Sequence, residues 1–261
     1  MVRMMSILTG LLTFLLTFYP YGMTAQLHAE PPKGEEAKEE RRFEGHTSYV
    51  YGVSFLWDGK TALSYSFDQT VRRWDVATGK QVAEYKVNLV NDIAILPDGK
   101  RALFARGQGI GSQRITLWDV AKGEEVATWK GHEMSVNRVC IVPGGKAAVT
   151  ASSDGTAILW ELESGKQILK FEAWRQGQGD GLPIGIPRQA SGVAIAISPD
   201  GKLLATGTSR NSLVALWDLQ TGKQIRFWPS GHGEVNSVDF SPDGKKLLTS
   251  TGNQREAGAQ L

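Results

Sequence analysis

Serine, histidine and aspartate together hydrolyse acyl bonds when a base polarises an exposed hydroxyl and a carboxylate orients the base. The sequence offers that trio twice at short range: His46, Ser66 and Asp68, then His132, Ser152 and Asp154. The repetition argues against catalysis. An enzyme needs one site with an accessible nucleophile, whereas here the constellation returns as a module, and no Gly-x-Ser-x-Gly elbow exposes a serine. The other chemical candidates are weaker. His28, His46, His132 and His232 are the only histidines, and the last three fall one per repeat, so they do not converge on a metal. Gly107-Gln108-Gly109-Ile110-Gly111 is spelled like a dinucleotide loop but lies between strands, not at a strand-to-helix turn. The Asp-Gly turns lack the regularly spaced oxygens of a calcium loop. These residues therefore predict no catalytic site, no cofactor and no metal.

The elements that carry these residues repeat. A strand end recurs as Arg73-Trp74-Asp75, Leu117-Trp118-Asp119, Leu159-Trp160-Glu161 and Leu216-Trp217-Asp218, with the tryptophans 44, 42 and 57 residues apart. A small turn follows each, as in Ala77-Thr78-Gly79-Lys80 and Gln220-Thr221-Gly222-Lys223. Upstream, two alternating runs flank Asp58-Gly59, Asp98-Gly99, Gly144-Gly145, Asp200-Gly201 and Asp243-Gly244, the strongest short-range hairpin signal. A Gly-His pair precedes two of the tryptophans, at Gly45-His46 and Gly131-His132, and a third pair is Gly231-His232. With a further strand after each Thr-Gly-Lys turn, every unit holds four strands.

This pattern resembles the WD-repeat family, whose units are four-stranded antiparallel blades of a β-propeller. The resemblance implies an all-β propeller with four complete units and one incomplete, near 43–86, 87–130, 131–171, 190–230 and 231–252. It also implies a buried hydrogen-bond tetrad in the first unit, His46, Ser66, Asp68 and Trp74, and in the third, His132, Ser152, Asp154 and Trp160. Trp74, Asp75, Trp118, Asp119, Trp160, Trp217 and Asp218 carry the Trp-Asp signature. Unit two has Asn88-Leu89-Val90 and unit four Ala190-Ser191-Gly192 in place of Gly-His, so both are expected to rely on apolar packing.

The long spacing before Trp217 comes from 172–189, rich in Gly and Pro and containing Trp174, which reads as a surface loop. In the family's layout it falls on the face of the tetrad histidines, where Tyr49, Phe67, Met134 and Trp174 are the candidate partner-binding residues. The stretch 253–261 is small and polar and reads as an irregular tail, leaving the fifth unit without its third strand. Imperfect closure, pairing of two chains through the open blade edge, and truncation of a larger propeller are the alternatives, with truncation favoured.

Residues 1–29 follow the order of a secretory signal peptide: Arg3, an apolar stretch from Ile7 to Tyr19, then Ala25 and Ala29. An uncleaved N-terminal anchor is the rival. Residues 30–42 read as a charged linker whose end can pair as an edge strand. A net charge of +2 gives no reason to invoke nucleic acid, and a membrane enters only through an uncleaved leader. The single cysteine, Cys140, lies in an apolar run and reads as a buried structural thiol. The expected function is a non-catalytic scaffold for protein or peptide partners, exported to a periplasmic, secreted or membrane-anchored location. The alternative is the scaffold or sensor portion of a longer polypeptide whose catalytic domain lies elsewhere.

Overall fold

At Asp58-Gly59 the turn residues do what their chemistry dictates. Asp58 Oδ1 accepts the N–H groups of Lys60 at 2.8 Å and Thr61 at 2.9 Å, while Gly59 takes φ +62°, the left-handed region where a Cβ is costly. The strands on either side then run back antiparallel. The structure, a computed structural model, describes residues 2–6, 13–14, 38–107, 113–172, 193–208, 212–230, 234–253 and 256–260. Among them all regular structure is β. The chain divides into two compact units, Met1–Val90 and Asn91–Leu261.

The first unit holds β1 (Val2–Ser6), β2 (Thr13–Phe14) and β3 (Lys38–Phe43), in the sheet order β2-β1-β3. The end of the charged linker is thus an edge strand, as its composition allowed. Its partner is Val2–Ser6, inside the stretch read as a leader, with Val2 opposite Phe43 and Arg3 opposite Arg42. Next comes a four-stranded blade of β4 (Val50–Phe55), β5 (Thr61–Ser66), β6 (Thr70–Asp75) and β7 (Gln81–Lys86), paired in that order.

The second unit repeats this blade. Its first copy is β8 (Val90–Ile95), β9 (Arg101–Arg106), β10 (Arg114–Asp119) and β11 (Glu124–Trp129). Its second is β12 (Val136–Ile141), β13 (Ala147–Ser152), β14 (Ala157–Glu161) and β15 (Gln167–Phe171). The third is β16 (Val193–Ile197), β17 (Leu203–Thr208), β18 (Leu213–Asp218) and β19 (Gln224–Pro229). Each is a sequential four-stranded antiparallel sheet. This is the expected propeller-blade architecture.

The last sheet corrects the sequence reading. After β20 (Glu234–Phe240) and β21 (Leu247–Asn253), the residues expected to be an irregular tail form β22 (Glu256–Gln260), paired from Thr249–Gln260 to Asn253–Glu256. The strand Glu-Ala-Gly-Ala-Gln has no β-branched side chain. A ladder, however, is made by backbone groups, and a formed neighbouring strand overrides weak propensity. Among the described residues the fifth blade therefore has three strands.

Apolar burial holds successive blades together. Leu103, Ile115 and Leu117 pack with Val136, Val139, Ile158 and Trp160 across the first two blades of the second unit. Aromatics extend the contact: Trp129 stacks on Trp160 at 5.9 Å, and Phe171 meets Trp217 edge-on at 5.9 Å. Phe43 meets Trp74 the same way at 5.7 Å in the first unit. Each pair contributes about 0.5–1.5 kcal/mol beyond the area it buries.

Candidate functional site

The Trp-Asp signature divides its work between core and turn. Trp74, Trp118, Trp160 and Trp217 are buried. The acidic residue that follows instead caps the next turn. Asp75 Oδ1 accepts from Thr78 N at 2.7 Å, Asp119 Oδ1 from Ala121 N and Lys122 N at 2.9 Å, and Asp218 Oδ1 from Thr221 N at 2.7 Å.

In the first blade Trp74 Nε1 donates to Ser64 Oγ at 2.8 Å, Ser64 Oγ lies 2.6 Å from His46 Nε2, and His46 Nδ1 lies 2.8 Å from Asp68 Oδ2. An ionised Asp68 only accepts, so Nδ1 carries the imidazole proton and Nε2 accepts from the serine. Thr47 N–H also reaches Asp68 Oδ2 at 2.9 Å, and Thr70 Oγ1 donates to Oδ1 at 2.6 Å. The blade of β12–β15 repeats the chain. Trp160 Nε1 donates to Thr150 Oγ1 at 2.7 Å, Thr150 lies 2.8 Å from His132 Nε2, and His132 Nδ1 lies 3.0 Å from Asp154 Oδ2.

The hydroxyls are thus Ser64 and Thr150, and the assignment of Ser66 and Ser152 is corrected. Ser64 and Ser66 stand on the same side of β5, as do Thr150 and Ser152 on β13, so alternation alone does not separate them. The register does. Trp74 pairs with Ala62, one diagonal step from Ser64, and Trp160 pairs with Ala148, one step from Thr150. Ser66 and Ser152 instead accept the N–H of Asp68 and Asp154 at 3.1 Å and shape the turn. Thr70 and Thr156 are network members that sequence reasoning missed. Their signal was the spelling Asp-x-Thr at both turns.

Distances of 2.8 and 2.6 Å along Asp68, His46 and Ser64 match the order of a hydrolytic triad. The surroundings do not. Ser64 and Thr150 have no solvent exposure, and each oxygen is already engaged by an indole N–H. The network is a satisfied buried chain that fixes the turn against the tryptophan. Burial opposes the charge on Asp68, but bonds from Thr70, the Thr47 N–H and His46 outweigh it and hold the carboxyl far below the carboxylate range. In Asp154 burial is likewise overcome, first by His132 and then by Thr156 and the Glu133 N–H. Burial lowers His46 below its ordinary value, against the pull of Asp68.

The two blades without Gly-His differ from each other. In the blade of β16–β19 the bond persists, with Trp217 Nε1 donating to Thr206 Oγ1 at 3.0 Å. In the blade of β8–β11 Phe104 takes the hydroxyl's place, opposite Thr116, and stacks on Trp118 at 5.3 Å. That blade relies on packing, as expected.

Two of the partner-binding candidates, Tyr49 and Phe67, stand together on the first blade. Tyr49 is 68% and Phe67 53% exposed, and Phe67 N donates to Tyr49 O at 2.9 Å. Tyr51, which the sequence reading passed over, meets Phe67 edge-on at 6.1 Å. Met134 is half-buried, and its carbonyl accepts from Ser152 Oγ. Trp174, its loop and His232 lie outside the described residues. Cys140 is partly buried rather than enclosed; burial pushes its thiol up to about 12.

The family model described as WD domain, G-beta repeat matches residues 37–75, 123–161, 186–218 and 222–255. Residues 76–122, which hold the first three strands of the blade in which Phe104 replaces the hydroxyl, fall between its matches. A guanine nucleotide-binding protein subunit beta of Solanum tuberosum is 30% identical over 220 residues, 80% of this chain and 55% of the relative. The subunit beta of Oryza sativa subsp. japonica is 27% identical over 216 residues, 78% and 54% respectively. A pre-mRNA-processing factor 19 homolog 2 of Arabidopsis thaliana is 26% identical over 206 residues, 78% of this chain and 29% of its own length. The chain thus spans little more than half the length of the subunit beta relatives it matches. With these four matched segments, and with the blades, signature tryptophans and turn caps that the structure shows, the chain belongs to the WD domain, G-beta repeat family.

Proposed function

We propose that this protein is a non-catalytic interaction scaffold, exported from the cytoplasm, that recognises a protein or peptide through the aromatic corner of its first blade. One observation carries the reading. Phe67 N donates to Tyr49 O at 2.9 Å, and the equivalent bond in the β12–β15 blade joins Ser153 N to Ser135 O at 2.9 Å. Where one blade places two serines, the other exposes a tyrosine and a phenylalanine. Large exposed aromatics at the end of a rigid blade supply contact area at low entropic cost. The similarity to G-beta and processing-factor proteins supports a scaffold role, and the apolar leader pattern supports export.

The test compares the intact protein with Tyr49→Ser plus Phe67→Ser for partners retained from an envelope extract. Loss of the same specific partner in the double variant is the expected result. Undiminished retention would remove the aromatic corner from the proposal, and recovery of the protein only from cytoplasm would remove export. The half-length match to the subunit beta relatives favours a second reading, these blades as the scaffold portion of a longer polypeptide. An intact mass from native cells well above 28.5 kDa would establish it.

A further inference from the structure

The corner between the second and third strands is built alike in the first blade and in the blade of β12–β15. Four positions before the signature tryptophan stands a threonine, Thr70 or Thr156, and a serine, Ser66 or Ser152, ends the strand opposite. The turn between them supplies a carboxylate, Asp68 or Asp154, to which the threonine hydroxyl donates at 2.6 Å. The blade of β8–β11 departs at all three places. Arg114 replaces the threonine, Arg106 replaces the serine, and residues 107–113 between them contain no Asp or Glu.

Arg106 and Arg114 are direct partners across β9 and β10, so their side chains leave the same side of the sheet. Like charges placed opposite one another repel. Burial lowers the Arg106 pKa from its ordinary value, and the charge of Arg114 lowers it further, against the pull of Glu125. That glutamate reaches in from the outer strand. Its Oε2 lies 3.5 Å from Arg106 Nη1, and its Oε1 accepts from Thr128 Oγ1. Arg114 has no carboxylate partner among the described residues. The same side also carries Thr116, two residues after Arg114 and directly opposite Thr128. Its hydroxyl is fully buried, with no hydrogen-bond partner among the described residues. A buried donor in that state is costly, and calls for a group that binds it.

We infer that this corner binds a tetrahedral oxyanion, a phosphate or sulfate group, between Arg106 and Arg114, with the Thr116 hydroxyl as a further donor. The anion stands where the other two blades carry an aspartate of their own. Guanidinium forks match such oxygens in pairs, and a dianion offsets two cations where Glu125 brings a single charge. Glu125 is the internal carboxylate that the ligand displaces; its side chain is 36% exposed, so it passes to water at little cost. The site lies in the second unit and does not depend on the role of Tyr49 and Phe67.

The experiment titrates the full chain with sodium phosphate by calorimetry, chloride holding the ionic strength constant. Phosphate should bind to saturation, sulfate should compete with it, and acetate should not. Arg114→Thr, which restores the residue of the other two blades, should weaken phosphate at least about tenfold. In phosphate-free buffer it should melt no lower than the parent, because a like-charge pair is gone. Glu125→Gln removes the internal competitor and should tighten binding about threefold; this variant decides alone if Arg114→Thr fails to fold. A phosphoserine peptide that binds at least as tightly as inorganic phosphate would place the group on a partner, and weaker binding of the peptide would make the ligand a free ion. Both satisfy the proposal, provided Arg114→Thr weakens them. Unchanged phosphate binding by Arg114→Thr would overturn it, as would acetate binding as tightly as phosphate or weaker phosphate binding by Glu125→Gln.

Discussion

Trp74 and Ser64 sit a diagonal step apart across β5 and β6, joined by an indole-to-hydroxyl bond of 2.8 Å. That bond, repeated by Trp160 with Thr150 and by Trp217 with Thr206, makes a polar residue compatible with a blade interior. An unpaired donor there costs about 1–3 kcal/mol, so the bond matters more for what its loss would expose than for its own net gain.

Ser64→Ala and Thr150→Val each strand a tryptophan N–H and a histidine nitrogen, and each should cost about 2–3 kcal/mol. Ser66→Ala should cost about 1 kcal/mol or less, because water can reach the turn N–H it leaves behind. Urea midpoints at unchanged m-value measure the difference. Equal losses at Ser64 and Ser66 would return the hydroxyl to the position first read from sequence.

Stability should fall with acid in two stages. The folded state holds His46 below its ordinary 6.5, so as pH drops past 6.5 the unfolded chain takes the proton first and stability declines. Asp68 and Asp154 are held below the ordinary 3.8, so a second decline begins as pH approaches 3.8 and the unfolded carboxyls protonate ahead of the folded ones. All three contributions are complete above 6.5. Urea unfolding above 6.5, between the two values and below 3.8 should show both steps; His46→Gln should remove the first step that arises from this residue.

Gln69 occupies the tetrad turn with φ +65°, where the equivalent residue of the later blade is Gly155 at +83°. An L residue in that region carries about 1 kcal/mol of strain. Gln69→Gly should therefore stabilise the protein or leave it unchanged, since glycine also loosens the unfolded chain. A thermal melt lowered by several degrees would show that the glutamine side chain contributes something the geometry does not reveal.

Cys140, with its thiol pushed up to about 12, should be nearly inert to a disulfide reagent at neutral pH, although it is not fully enclosed. Sγ lies 3.9 Å from Ile195 O, and denaturant should restore the ordinary rate. Rapid labelling of the folded protein would mean that its surroundings open.

The repeat, the four strands of each complete blade, the hairpin turns and the burial of the signature tryptophans were all legible in the sequence. They depend on local chemistry: Gly at positive φ, Asp capping its own turn, and alternation of apolar residues, each encoded within a few positions. Which of two same-side hydroxyls completes the tetrad was settled by cross-strand register, a non-local quantity. Likewise Glu256–Gln260 became a strand because β21 was there to pair with it, not because its side chains favour one. The exposure of Phe227 emerged the same way. The apolar residue is visible in the sequence, but only its pairing with Ala215 on the edge strand of its sheet leaves it open to solvent. Local geometry follows from neighbours in the chain; register, and hence which side chain meets which, follows from backbone bonds between segments that the chain brings together only on folding.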